Sequence, residues 1–118
     1  MLQKTLDKLA DKYWSEYCES FPKLVRLNPP KIVINNRFTQ CAGCNVSQDR
    51  VIELAGRFLT HFPDNMKRVI LPHEIAHQID HDLNGWYYRK PHHGESWIII
   101  MEIIGQPANP YHSMVLPK

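Results

Sequence analysis

His73-Glu74-Ile75-Ala76-His77 sets two imidazoles four residues apart with a carboxylate between them. In an α-helix that spacing is about 6 Å along the axis and brings both rings to one face, where they can grip one metal ion. Glu74 falls on the adjacent edge, near enough to reach a metal-bound water without displacing it. The flanks favour a helix: Val69-Ile70-Leu71 leads in, Gln78 to Leu83 continues it, and Asn84-Gly85 is a stop signal. The helix is expected to begin at Asp64. Pro72 is the local objection, because an internal proline removes a hydrogen bond and crowds the preceding turn; the turn bearing His73 is expected to start there or to bend.

Two histidines do not complete a catalytic zinc site, which takes three protein ligands and keeps a fourth position for water. His81 lies about 12 Å along the axis from His73, too far for all three rings to converge. The motif that places a third histidine six residues after the second fails, since that position is Leu83. His92, His93, Glu95, Glu102 and the more distant His112 remain. His93 is favoured, because a loop can return to the metal and Gly94 lets the backbone approach closely and turn into the next helix. Glu102 or Glu95 as third ligand is the alternative.

Outward from the motif the organisation is α, then β, then α. From Leu2 to about Cys18, Leu2, Leu6, Leu9, Tyr13 and Tyr17 follow amphipathic-helix spacing, and Trp14 and Cys18 widen the stripe. Asn28-Pro29-Pro30 breaks the chain. Lys31 to Asn35 is expected to be a strand, Asn36-Arg37 a turn, Phe38 to Val46 a second strand irregular near Gly43, and Arg50 to Leu54 a third. Gly56 to Phe62 is expected to be a connector. From Glu95 to Ile104 the run Trp97 to Met101 with Ile103-Ile104 predicts a buried helix ended by Gly105 and Pro107, with a strand as the alternative its β-branched content leaves open, and with Trp97, Ile100, Met101 and Ile104 backing the metal site.

A chain of 118 residues, 43% hydrophobic, fits one domain over 1–118 with a modest core. The net charge of +2 comes from scattered cations, a basic bias too weak to argue for nucleic acid. No stretch has the character of a signal peptide or membrane span. Three cysteines, an odd number, suggest reduced thiols and a cytoplasmic setting. Cys41-Ala42-Gly43-Cys44 has no second pair to complete a structural zinc site and does not open a helix as a redox pair would. These thiols are expected to pack or to be incidental.

His73-Glu74-Ile75-Ala76-His77, the downstream His93-Gly94 with Trp97, and the upstream Asn36-Arg37, Ala42-Gly43 and Ile52-Glu53-Leu54 together resemble the SprT-like (Spartan-like) zinc metalloproteases over about residues 34 to 105. The resemblance implies an α+β zincin of the minigluzincin type: an N-terminal helix, a small three-stranded sheet, the motif helix and a C-terminal helix. It implies zinc held by His73, His77 and His93, with Glu74 as catalytic base. In the best-known members it also implies proteolysis of DNA-bound or DNA-crosslinked proteins. Many members carry a zinc ribbon after the catalytic part; no cysteine follows Cys44 here, so the expectation is a minimal catalytic core.

In that chemistry zinc is the Lewis acid and Glu74 shuttles a proton from water to the leaving amine. Tyr111 and His112 are candidates by residue type for an oxyanion donor. Asp80, seven residues after His73 on nearly the same helical face, is a candidate to orient a ligand imidazole. An edge strand over the cleft would bind an extended protein or peptide by β-augmentation. Trp86, Tyr87 and Tyr88 beside Arg89-Lys90 could line the cleft or stack on single-stranded DNA. The expected state is a monomer without membrane attachment. The alternative from another class is a catalytically silent zinc-binding module that recruits DNA or a protein partner; Glu74 favours the enzyme, because a structural zinc site has no use for a base.

Overall fold

Amphipathic spacing at the N-terminus becomes α1 (Leu2–Ser20), whose buried residues are Leu6, Ala10, Trp14 and Tyr17. The stripe is rotated from the expected one: Trp14 lies at its centre, Leu9 and Tyr13 flank it, and Leu2 is exposed. The structure is a computed structural model and describes residues 2–85 and 92–117. No described helix is long and apolar enough to cross a membrane.

After Pro29-Pro30 come the strands β1 (Lys31–Asn35), β2 (Gly43–Val46) and β3 (Val51–Ala55), in the spatial order β1-β3-β2. β3 is central, parallel to β1 with Ile32 opposite Ile52, and antiparallel to β2 with Asn45 opposite Ile52. Residues 38–42, expected to extend the second strand, lie outside it. Only Ala42 is tied to the sheet from this stretch, its carbonyl accepting from Ala55 N at 2.9 Å. Ile52, Leu54 and Ala55 are fully buried. The supposed connector after β3 is a short helix, α2 (Gly56–His61), which buries Phe58 and Leu59.

The motif helix begins one residue before its expected start and is not uniform. A single turn, α3 (Pro63–Asn65), runs into a π-helical turn at Met66–Ile70 and then into α4 (Leu71–Asn84). Pro72 explains the wide turn, since it has no N–H and its ring crowds the carbonyl four residues back. Leu71 N–H bonds the Met66 carbonyl five residues back, which is the π pattern. The Lys67 carbonyl, five residues before the missing N–H of Pro72, accepts from the Tyr13 hydroxyl at 3.0 Å. Gly85, at φ 70°, ends the helix as its sequence foretells.

Gln78 is fully buried on α4 and satisfied throughout. Its carbonyl oxygen accepts from Asn45 at 2.9 Å, and its amide donates to the Ser47 carbonyl and to Asp82, each at 3.1 Å. These bonds hold α4 against β2. Arg50 binds the other flank: its guanidinium reaches both Asp82 oxygens at 2.7 and 2.8 Å, donates to the Asn28 carbonyl, and lies 5.2 Å from the Trp14 ring centre. Arg50 adopts φ 54°, a left-handed conformation that costs a non-glycine residue about 1–2 kcal/mol. Arg50→Ala should therefore leave the buried Asp82 carboxylate without its cation and destabilise the fold by about 1–3 kcal/mol, below a fully buried pair because the arginine is partly exposed. Urea denaturation checks this, and an unchanged midpoint would refute it.

The C-terminal helix is α5 (Glu95–Ile103). Trp97, Ile100 and Met101 are buried and Ile104 packs at the margin of the core, while Ile98, Ile99 and Ile103 are exposed. The expected buried helix is thus buried on one face only.

Candidate metal centre

Four residues of spacing on α4 put His73 and His77 side by side, their ring centroids 5.0 Å apart. His93, just ahead of α5, brings a third ring to within 5.0 Å of His73 and 4.8 Å of His77. His73 Nε2 and His93 Nε2 are 3.0 Å apart, and one ligand atom from each of the three rings lies within 4.8 Å of the others. Ligand nitrogens about 2.0–2.1 Å from a tetrahedral zinc are separated by about 3.3 Å. The three imidazoles therefore fit that ion with small ring adjustments. Glu95 and Glu102 are exposed and stand outside this group. His92 is exposed beside it, with its ring 4.5 Å from that of His77.

Trp97 is the floor of the site. Fully buried, it stacks on His77 at 5.3 Å and 18°, and its indole N–H reaches the His73 carbonyl at 3.4 Å. Burial pushes the His73 pKa down to about 4; neighbouring His93 and His92 push the same way, and a hydrogen bond to the Asn109 backbone opposes them. Burial, then His92, also lowers His93. Both rings are thus held neutral, the state in which imidazole donates a lone pair to a metal.

Glu74 is 6% exposed, and one of its oxygens is 3.8 Å from His73 Nε2. Burial alone drives its pKa up to about 8. Gly43 of β2 packs directly against it: a Cβ there would stand 3.2 Å from Glu74 Cγ and 3.2 Å from Ile70 Cγ2. The absent side chain at residue 43 lets the edge strand lie on the carboxylate.

These groups line a cleft of about 650 Å³. One wall is residues 40–44 and the other is the chain after α5, residues 109–113. Cys41 and Cys44 are exposed and line the cleft instead of packing in the core, and burial with the nearby Glu74 and Glu53 carboxylates raises Cys44 above the ordinary thiol range. Tyr111 is 80% exposed at the rim, its ring 6.3 Å from that of His93. Both His112 nitrogens meet backbone: Nδ1 accepts from Met114 N at 3.2 Å, and Nε2 faces the Gln40 carbonyl at 3.0 Å. Asp80 is buried on α4 and accepts from Asn84 at 2.8 Å. Trp86, Tyr87, Tyr88, Arg89 and Lys90 lie outside the described residues. The motif gave no sign of the Gly43 contact with Glu74, which joins segments far apart in sequence.

The chain matches the SprT-like family over residues 3–115. It is similar to Protein SprT of Glaesserella parasuis serovar 5 (strain SH0165), with 29% identity over 112 residues. That alignment takes in 94% of this chain but 63% of the relative, so the chain spans less than two thirds of its relative's length. No solved structure matches it.

Proposed function

Because this chain belongs to the SprT-like family, we propose that it is a zinc-dependent endopeptidase with His73, His77 and His93 as ligands and Glu74 as general base. The observation that carries the proposal is a buried carboxylate beside three clustered imidazoles at the base of an open cleft. A zinc ion held there would polarise a scissile carbonyl and make a water more acidic.

The protein's own groups supply the rest. Glu74 takes the proton from the attacking water as its oxygen bonds to the peptide carbon. It then gives that proton to the departing amine as the C–N bond breaks, so one group serves as base and acid. Its burial makes it a stronger base than a solvated carboxylate. β2 is the outer strand on the cleft side, and its backbone can pair with an extended polypeptide while reading little of its sequence. Tyr111 at the rim is the group we assign as oxyanion donor, and Asp80 the carboxylate that steadies α4 behind the ligands. Substrates are proteins or unfolded peptides, with DNA-bound proteins the class that family membership favours and single-stranded DNA an activating partner. Three free cysteines fit a reducing cytoplasm.

The test is cleavage of an unfolded polypeptide, and of a DNA-binding protein with and without single-stranded DNA. We expect activity that a zinc chelator removes and added zinc restores. A protein that retains zinc and cuts neither substrate under any condition would instead be a silent zinc-binding module.

A further inference from the structure

Gly43 opens β2 with a strand backbone that any residue could adopt. What its position forbids is a side chain. A Cβ there would meet Glu74 Cγ and Ile70 Cγ2 at 3.2 Å each and the Glu53 carbonyl oxygen at 3.4 Å. Comfortable contact between carbon atoms lies at about 3.5–4.0 Å.

β2 is not free to back away from α4 to make room. Gly43 is paired with Leu54 of β3, and the Ala42 carbonyl before it accepts from Ala55 N at 2.9 Å. Two residues on, the Asn45 amide donates to Gln78 Oε1 of α4 at 2.9 Å. Residues 43 and 45 point to the same side of the strand, about 6.8 Å apart, while Glu74 and Gln78 share a helix face, about 6 Å apart. The spacings nearly match, so α4 lies along β2 with Gly43 set on Glu74 and Asn45 set on Gln78. The Asn45–Gln78 bond fixes how far apart the two elements stand, and the approach at Glu74 is close because residue 43 has no side chain. Of the three groups around a new methyl, the Glu53 carbonyl belongs to the sheet and Ile70 is buried. The Glu74 side chain, with a rotatable stem and the cleft before it, is the one that yields.

We propose that Gly43 is a positioning residue for Glu74: by withholding a side chain where β2 crosses α4, it lets the carboxylate stand where it can take the proton of the attacking water. The inference rests on Glu74 acting as general base, as proposed above. A base works within about 2.6–3.2 Å of its partner atom, and a misplacement of about 1 Å can cost about 10²-fold. A shift of a few tenths of an ångström then corresponds to about 3–10-fold.

Cleavage of an unfolded polypeptide by wild type, Gly43→Ala, Ile70→Ala and the double variant Gly43→Ala/Ile70→Ala tests it, with zinc content and melting temperature measured on each. Gly56→Ala is the control, since its Cβ would press on the Asn36 side chain and neither residue lines the cleft. We expect Gly43→Ala to fold, to hold zinc as wild type does, and to lose about 3–10-fold in kcat with KM unchanged, because the outer edge of β2 stays in place. Ile70→Ala removes one of the crowding atoms, so adding Gly43→Ala to it should cost less than in wild type. Gly56→Ala should melt lower and keep its kcat. Wild-type kcat in Gly43→Ala overturns the inference and leaves the proposed protease standing, as does a loss confined to KM, a loss of zinc, an equal loss in Gly56→Ala or an undiminished cost in the Ile70→Ala background. A Gly43→Ala chain that does not fold overturns it too, because the carboxylate and not the strand must give. A wild type that holds zinc and cuts nothing overturns the proposed function and this inference with it.

Discussion

Glu74→Gln is expected to keep the metal and to slow peptide hydrolysis by about 10²–10⁴-fold, the range for loss of a positioned general base. The amide matches the carboxylate in shape, so Gly43, which packs against Glu74 Cγ, and the neighbouring His73 need not move. What disappears is the ability to hold the water proton between attack and departure of the amine. Zinc content and single-turnover cleavage, measured side by side, decide the matter. Loss of zinc would make Glu74 a ligand, and an undiminished rate would place the base elsewhere.

The same substitution should abolish a pH trend in the metal-free protein. A Glu74 carboxyl raised from 4.5 to about 8 binds its proton more tightly in the folded state. Its burial therefore costs stability progressively as pH rises from about 4.5 to 8, where the unfolded chain is ionised and the folded chain is not. His73, lowered from 6.5 to about 4, acts oppositely: it costs stability as pH falls below 6.5. The two slopes offset each other between about 4.5 and 6.5, leaving a net decline above 6.5. One proton over that interval to pH 8 corresponds to about 2 kcal/mol. Denaturant unfolding in the presence of a chelator should show wild type losing that much and Glu74→Gln losing little; parallel profiles would refute it.

Local patterns made much of this architecture legible. The i, i+4 histidines, the 31–35 strand and the Asn84-Gly85 stop each rest on local geometry, and each lies where expected. His93 was reachable too, because helix spacing excluded His81 and Gly94 offered a close turn. The short α2 was missed because Gly-Arg-Phe-Leu-Thr-His opens on a poor helix former and is too brief to display a period. The extra length assigned to β2 overlooked how little of residues 38–42 pairs with β3. Pro72 flagged a distortion, but its accommodation depends on Tyr13, more than fifty residues upstream. His112 drew attention as an oxyanion donor by residue type alone. Its bonds to Gln40 and Met114 arise from the path of the chain after α5, for which periodicity gives no signal.

His93→Ala should cost the site its metal. On the proposed site α4 would supply two ligands from one rigid helix, but two imidazoles would leave half of a tetrahedral shell to water. Complete zinc sites in small domains bind with about 10–16 kcal/mol, so losing one ligand should cost roughly a quarter of that, or about 10²–10³-fold in affinity. Zinc content after dialysis against a competing chelator measures it: wild type should keep about one equivalent and His93→Ala almost none. His92→Ala is the informative neighbour. Its ring approaches that of His77 to 4.5 Å, yet it is exposed and outside the cluster; removing it should spare the metal. Should His92→Ala lose zinc while His93→Ala retains it, the third ligand moves by one residue, and the turn into α5 must be rebuilt around the other ring. Should both retain zinc, the shell must be closed by a carboxylate such as Glu95 or Glu102. α5 would then have to turn one of these exposed side chains inward, at the expense of the Trp97 packing beneath His77. The buried tryptophan and neutral histidines argue for the cheaper arrangement, in which His93 closes the site.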